Sequence, residues 1–234
     1  MAISQLNRLR QSPFHIRVIP FVVFLFLTAL PSGSMGRLGP EAMFWMYFVK
    51  TVVGAWLIWL MRSTVLEMRW VISVEAVIAG ILVFILWVGL DGHYPTLDRL
   101  FGSALSGKTP AVWNPFEYFD PGAAWFFVAA RIVGSTLVVP PLEEVFYRSF
   151  LYRYVIQKDF LSIPLGAFHG VSFLVMSLVF GFAHREWLAG ILCAAIFQGL
   201  VCWKKRLGDA MTAHAITNFL LGCWVVWKGA WHFW

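Results

Sequence analysis

The sequence PPLEEVFYRSFLYR, residues 140–153, places two adjacent carboxylates and an arginine in a chain that otherwise consists mostly of apolar segments. An ionisable side chain in a membrane-length apolar segment is costly unless it is paired or faces a polar cavity. Glu144 and Arg148 are four residues apart, so on a helix they share a face and can form an ion pair. Glu143 projects about 100° away from that face. The stretch therefore predicts a helix with one neutralised carboxylate and one carboxylate that is free to face another helix.

The composition of the whole chain indicates a membrane protein. Of the 234 residues, 60% are hydrophobic and 13% are charged, and the mean hydropathy is +0.74, which is not the composition of a soluble domain. We expect an all-α, polytopic membrane protein, in which residues 1–234 form a single integral membrane domain with about seven or eight membrane helices surrounded by lipid. The net charge of +6 comes from basic residues scattered between apolar segments. This pattern favours cytoplasmic loops and argues against nucleic-acid binding.

The helix that contains the two carboxylates is predicted to be interrupted. The apolar residues 123–139 run directly into Pro140 and Pro141, and proline removes a backbone donor and clashes with the preceding turn. We therefore expect one membrane helix to be broken at these prolines. Glu143 and Glu144 would then lie in the first turn of the next helix, where the helix dipole favours negative charge.

The course of residues 141–156 decides on which side of the membrane the later basic residues lie. If this segment does not cross the membrane by itself, Arg153 and the cluster at residues 204–206 share the cytoplasmic side, as the positive-inside rule favours. If it does cross, the cluster lies outside. Arg131, in the middle of the preceding apolar segment, also needs a partner, and Glu75 and the motif carboxylates are the candidates.

Two further pairs of residues stand at helical spacing later in the chain. Phe180 and His184 are four residues apart, and so are His214 and Asn218, so each pair shares one face of its segment. We expect three helices to meet in a polar pocket formed by Glu143, His184, His214 and Asn218. In such a pocket a glutamate with a neighbouring imidazole can take a proton from water. A second histidine and an amide can stabilise the oxyanion that forms when water attacks a carbonyl.

The three patterns Glu-Glu-x-x-x-Arg, Phe-x-x-x-His and His-x-x-x-Asn, in this order on apolar segments, resemble the CAAX prenyl endopeptidase and bacteriocin-processing (CPBP or Abi) family of intramembrane proteases. In this chain they occupy residues 143–148, 180–184 and 214–218, and the region that carries them spans about residues 140–220. The resemblance implies an intramembrane endopeptidase that hydrolyses a peptide bond as a glutamate protease.

The resemblance also implies a role for each motif residue. Glu143 and His184 would activate the water, and His214 and Asn218 would form the oxyanion site. Glu144 and Arg148 would hold the motif helix in place. From its position beside the site we expect Phe180 to support the site by packing.

The resemblance further implies a membrane-associated or lipidated peptide or protein as the substrate, since eukaryotic members of the family remove the last three residues of prenylated CAAX proteins. The short chain and its compact loops favour a bacterial member, with the exosortase-associated subgroup as the narrower hypothesis. We therefore expect a multi-pass protein of the bacterial inner membrane.

The same residues are compatible with other functions. Glu143, His184 and His214 could ligate zinc in a metallohydrolase site, although residues 184–186 do not fit an HExxH motif. We favour a mechanism without metal or other cofactor. A non-enzymatic binding or immunity protein could use the same pocket for binding. A transporter is a third class, and it is disfavoured because the sequence shows no duplicated halves.

Overall fold

The structure, a computed structural model, describes residues 12–33, 39–101 and 112–234. Within these ranges the chain is helical and contains no strand, which confirms the predicted all-α class. The described residues form eight helices: α1 (Pro13–Gly33), α2 (Ala42–Met61), α3 (Val74–Gly89), α4 (Leu97–Phe101), α5 (Pro121–Ile156), α6 (Gly170–Phe182), α7 (Trp187–Lys204) and α8 (Leu207–Lys228). Short 3₁₀ turns lie at Pro115–Glu117, Phe160–Ser162 and Trp231–Phe233.

The helices have the length and composition of a multi-pass membrane protein. In the described part of the chain, five of them are long and apolar enough to cross a membrane, namely α1, α2, α5, α7 and α8, and α3 and α6 are shorter apolar helices. Together these seven fit the predicted number of about seven or eight. Large apolar side chains such as Val74, Trp203 and Trp227 are more than two thirds exposed. An apolar surface of this kind suits contact with lipid.

Helix α5 differs from the prediction, because it runs from Pro121 to Ile156 without a break. The predicted interruption at Pro140 and Pro141 is therefore wrong. Two segments of α5, Gly134–Val138 and Val145–Leu151, are wound as π-helix. The prolines have no N–H to bond the carbonyls one turn earlier, and membrane helices accommodate this loss by local π winding and by donors from neighbouring helices.

Helix α8 lies at the centre of the bundle and contacts α3, α5 and α7. The approach of α3 to α8 requires glycine, since a Cβ atom at Gly80 would lie 2.6 Å from the carbonyl oxygen of Ala213. Helices α6 and α7 also approach closely, because a Cβ atom at Gly190 would lie 2.9 Å from the Cα atom of Gly181. Small residues at these contacts allow membrane helices to pack backbone against backbone. The close contacts bring the three motif segments to one region.

Basic residues collect at one end of the bundle. Lys204 Nζ lies 2.7 Å from the Glu75 carboxylate at the start of α3, and Lys205 donates to the carbonyl oxygen of Gly166 at 2.6 Å. Arg17 of α1 and Arg153 of α5 both reach a carboxylate of the α2–α3 loop. The cluster at residues 204–206 thus shares an end with Arg153, in agreement with the arrangement that the positive-inside rule favours.

The carboxylate at this end is Glu67, which ties the loop to two helices. Its Oε1 accepts from Arg17 Nη2 at 2.7 Å, from the Ser149 hydroxyl, and more weakly from Arg153 Nη2 at 3.5 Å. Burial disfavours the charged form, but the Ser149 hydrogen bond and the Arg17 charge outweigh burial and lower the pKa of Glu67. Its ionised form therefore stabilises the fold.

We expect Glu67→Gln to lower the free energy of unfolding by about 2 kcal/mol, because two buried guanidinium groups lose their counter-charge. A carboxylate with a lowered pKa contributes stability at neutral pH that is lost as the pH falls through that pKa. The stability of the variant should therefore also decrease less than that of the wild type as the pH falls. Thermal unfolding in detergent between pH 7 and about pH 3 measures both effects, because the loss occurs below the ordinary pKa of a glutamate.

The control is Glu41→Gln, which makes the same charge change at an exposed glutamate. Equal melting temperatures for the two variants at neutral pH, or an unchanged acid sensitivity in Glu67→Gln, would contradict this role of Glu67.

Candidate functional site

A cavity of about 200 Å³ lies between the helices that carry the three motifs. It is large enough to hold several water molecules. The structure places all four predicted chemical residues and the aromatic residue of the second motif in its wall: Glu143, Phe180, His184, His214 and Asn218. Glu143 comes from α5, His184 lies just after α6, and His214 and Asn218 come from α8.

Glu143 presents a partly free carboxylate to this cavity. Its side chain is 14% exposed, and its Oε2 atom has no hydrogen-bond partner among the described residues. The nearest imidazole nitrogen is His214 Nε2, at 4.0 Å. This distance is too long for a direct hydrogen bond. The carboxylate and the imidazole therefore lie side by side without a bond between them.

The adjacent carboxylate, Glu144, is fully buried and neutralised. Its Oε1 atom lies 3.1 Å from Arg148 Nη1 and 2.9 Å from His214 Nδ1. The first contact is the ion pair expected within one helix. The contact to His214 was not predicted, and the sequence contains no signal for it because the two residues are 70 positions apart on different helices.

The His214 ring is held by this carboxylate. An ionised carboxylate only accepts hydrogen bonds, so Nδ1 of His214 carries a proton and donates it to Glu144. The ring also packs against Phe197, with 5.5 Å between the ring centroids. With Nδ1 engaged, Nε2 is the atom that faces Glu143. Glu144 thus fixes the orientation of the imidazole through the ring nitrogen that does not face Glu143.

His184 is fixed by the first residue of its own motif. Its Nδ1 lies 2.7 Å from the carbonyl oxygen of Phe180, and because a carbonyl only accepts, Nδ1 must be the protonated nitrogen. In the neutral ring, Nε2 then keeps its lone pair. The Phe180 ring packs on the imidazole at 4.5 Å, and the Trp87 ring meets it edge-on at 5.6 Å. The four-residue spacing therefore sets the tautomer of His184 as well as its position.

Phe180 also covers the buried ion pair. The Arg148 guanidinium carbon lies 4.7 Å from the centroid of the Phe180 ring, a distance at which a cation is attracted to an aromatic face. Phe180 therefore packs between Arg148 and His184 and connects the first motif to the second.

Asn218 contacts the distorted part of α5. In the π segment the Val139 N–H bonds to the carbonyl oxygen of Gly134, and the next residue, Pro140, has no N–H for the Ser135 carbonyl. Asn218 Nδ2 supplies the missing donor at 2.8 Å. The amide retains a second N–H, since the group has two. Pro140 thus leaves the Ser135 carbonyl oxygen without a backbone donor, and the bond to this oxygen holds Asn218 at the cavity.

In the described part of the chain, no three His, Cys, Asp or Glu side chains are placed to hold a metal ion. The zinc alternative at Glu143, His184 and His214 stays a prediction, as does the mechanism without metal.

Comparison with known proteins identifies the region that contains the cavity. Residues 124–220 match the family model of the Type II CAAX prenyl endopeptidase Rce1-like proteins. The match begins in α5, ends in α8 and includes all three motifs, which confirms for this part of the chain the family predicted from them. No curated protein and no solved structure matches the chain.

The Glu144–Arg148 contact should show strong energetic coupling. We expect Arg148→Met to lower the free energy of unfolding by about 3 kcal/mol, because it leaves a buried carboxylate without its guanidinium. The double variant Glu144→Gln/Arg148→Met should lose less than half as much, since the neutral amide oxygen still accepts from His214. A double-mutant cycle by thermal unfolding in detergent measures this coupling. Additive losses in the two single variants would contradict it.

Proposed function

We propose that this chain is an intramembrane endopeptidase that hydrolyses a peptide bond with a water activated by Glu143 and His184. The match of residues 124–220 supports a CAAX-protease-like membrane protease in general. The observation that carries the proposed mechanism is the contrast between two adjacent carboxylates. Glu144 Oε1 lies 3.1 Å from a guanidinium nitrogen and 2.9 Å from an imidazole nitrogen, whereas Glu143, in the cavity wall, comes no closer than 4.0 Å to an imidazole nitrogen.

In the first step, Glu143 accepts a proton from the bound water as the water oxygen attacks the carbonyl carbon of the substrate. His184 Nε2 has a lone pair that can accept the second hydrogen of this water and so orient it. The carbonyl oxygen takes up the negative charge of the tetrahedral intermediate. In the second step, Glu143 returns the proton to the leaving amine nitrogen as the C–N bond breaks. No covalent intermediate is required.

His214 and Asn218 stabilise the oxyanion in this mechanism. Asn218 has one amide N–H left after its bond to Ser135. His214 donates from Nε2 in this mechanism when both ring nitrogens carry a proton, with Nδ1 bonded to Glu144. Hydrogen-bond donors that are held in place before the reaction stabilise the oxyanion more than donors that must first reorganise.

The substrate in this proposal is a membrane-associated or lipidated peptide or protein. The large exposed apolar side chains of the bundle support an environment of lipid, and a substrate of this kind would partition into the same environment. By the positive-inside rule, the end that carries Arg153 and residues 204–206 faces the cytoplasm. We assign the protein to the bacterial inner membrane, and its place in the exosortase-associated subgroup stays a prediction.

Hydrolysis should depend on Glu143 and His184. In cells that express the wild type, mass spectrometry of membrane-protein termini should reveal new termini, and Glu143→Gln and His184→Ala should abolish them. Asn218→Ala should reduce the rate of their formation by about 10²–10³-fold, because it removes an oxyanion donor.

The matched control is Glu117→Gln, which neutralises an exposed glutamate of a 3₁₀ turn and should process normally. Equal processing by wild type and Glu143→Gln would reject the hydrolase. It would instead favour the non-enzymatic binding or immunity protein.

The proposed mechanism also makes the reaction independent of metal. Purified protein dialysed against a strong chelator should keep its activity in proteoliposomes, and elemental analysis should find zinc far below one ion per chain. Stoichiometric zinc, together with activity that only added zinc restores, would overturn the metal-free mechanism.

A further inference from the structure

The cavity that contains Glu143 extends toward the end of the bundle that lies opposite the basic cluster at residues 204–206. Trp87 lies two residues before the end of α3, Glu186 directly precedes α7, and both line the cavity. Trp234, which follows α8, lines it as well. The cavity wall therefore continues from Glu143 to the level at which α3 and α8 end and α7 begins.

Arg131 holds the segment after α8 at this wall. Its guanidinium carbon lies 4.6 Å from the ring centroid of Tyr47, 4.5 Å from that of Trp113 and 5.3 Å from that of Trp234. Glu75, which was a candidate partner of Arg131, lies at the other end of the bundle and pairs there with a lysine of α7 at 2.7 Å. The predicted pairing of Arg131 with Glu75 is therefore wrong.

The bundle is closely packed between the cavity and its basic end. The wall residue of α8 nearest to that end is His214, which lies seven residues after Leu207, or about 10 Å along the helix axis. Toward the basic end, Val145 of α5, Phe197 of α7 and Met211 of α8 are completely buried and belong to one apolar core. A core at the usual packing density has no room for a polypeptide chain. The described helices therefore leave no entrance at the basic end.

A second cavity, of about 310 Å³, lies at the opposite end of the bundle. Its wall comes from the turn after α3, the start of α4, the turn before α7 and the turn after α8. It includes the charged residues Asp91, Arg99, Arg185 and Glu186. Glu186 belongs to the walls of both cavities. A polar space thus adjoins the catalytic cavity on the side away from the basic cluster.

Two ion pairs connect the turns that surround this second cavity. His232 Nε2, after α8, lies 2.9 Å from Asp91 Oδ2, after α3. Arg185 Nε, before α7, lies 3.1 Å from Asp98 Oδ1 of α4. All four side chains are at least one quarter exposed, so they are hydrated. Because polar groups lose free energy when they leave water for an apolar environment, a wall of this kind favours a polar peptide segment over an apolar helix.

The charges at the two ends of the bundle indicate which end faces the cytoplasm. Arg62 and Arg69 of the α2–α3 loop lie at the closely packed end, together with Arg153 and residues 204–206. The end with the second cavity carries several acidic residues, including Asp91. By the positive-inside rule the closely packed end is cytoplasmic, and the second cavity lies on the extracytoplasmic face.

We propose that the catalytic cavity opens to the extracytoplasmic face, and that the substrate is a membrane-anchored protein whose cleaved segment is a polar stretch on that face. This inference rests on the proposed hydrolase. The segment enters between the charged turns, passes Glu186 and reaches Glu143, while the membrane anchor of the substrate stays in the bilayer. A segment on the cytoplasmic side meets the packed core instead and is not cleaved.

Cysteine labelling tests the position of the opening without catalysis. The three native cysteines are replaced by alanine, and variants that keep the wild-type melting temperature in detergent are compared. Leu221→Cys then places one thiol in the wall of the catalytic cavity, and Glu186→Cys places one where the two cavities adjoin. The reagent is a small anionic methanethiosulfonate, which does not cross a bilayer because a charge in hydrocarbon is costly.

The matched control is Leu66→Cys in the α2–α3 loop, where the side chain is 61% exposed. In intact spheroplasts the reagent should modify Leu221→Cys and Glu186→Cys at least about 10-fold faster than Leu66→Cys, which should react only in inside-out vesicles. Mass spectrometry of the purified protein measures the modification. An unmodified Leu221→Cys in spheroplasts would overturn the proposal, and so would modification of Leu221→Cys and Leu66→Cys from the same side.

The positions of the cleavage products provide a second test, which needs no cysteine variant. Membrane-protein termini that appear with the wild type and not with Glu143→Gln should lie in segments on the extracytoplasmic side of their membrane anchors. Glu143-dependent termini in cytoplasmic segments would overturn the extracytoplasmic opening and retain the hydrolase. Modification of Leu221→Cys from outside without any Glu143-dependent terminus would reject the hydrolase and retain the opening.

Discussion

The buried carboxylate of Glu144 is the point on which the site depends. It is completely inaccessible to solvent, and it receives the guanidinium of Arg148 from its own helix and the imidazole of His214 from α8. A buried charge is tolerated only when such partners compensate it. Because Glu144 uses both partners, Glu143 next to it has no competing cation at hydrogen-bond distance in the described part of the chain. The structure thereby gives two chemically identical neighbours two different environments.

The two prolines of α5, Pro140 and Pro141, also shape the site. They remove backbone donors in the middle of a membrane helix, and the helix responds with π winding before and after residues 139–144. π segments of this kind are frequent at functional sites. The Ser135 carbonyl is left for Asn218 of α8, so the two sides of the cavity are joined by a contact that a regular α-helix would not allow.

The sequence predicted which residues meet but not how they are held. Spacings of four residues placed His184, His214 and Asn218 on faces that converge with Glu143, because helical periodicity is a local property. Contacts between helices are not local, so the His214 bond to Glu144 had no sequence signal. The prediction of a helix break at Pro140 and Pro141 was wrong for a different reason. Propensity rules treat proline as a helix breaker, whereas neighbouring helices in a membrane protein supply the missing donors.

The central claim is that water attacks the substrate directly, with Glu143 as the base and without a covalent intermediate. Single-turnover cleavage in water enriched in ¹⁸O, followed by rapid quenching and mass spectrometry, tests it most directly. The account predicts one ¹⁸O atom in the new C-terminal carboxyl group of the product in the first turnover, and a protein of unchanged mass at every time point. An acylated protein in the quenched samples, or a first-turnover product without ¹⁸O, would contradict it.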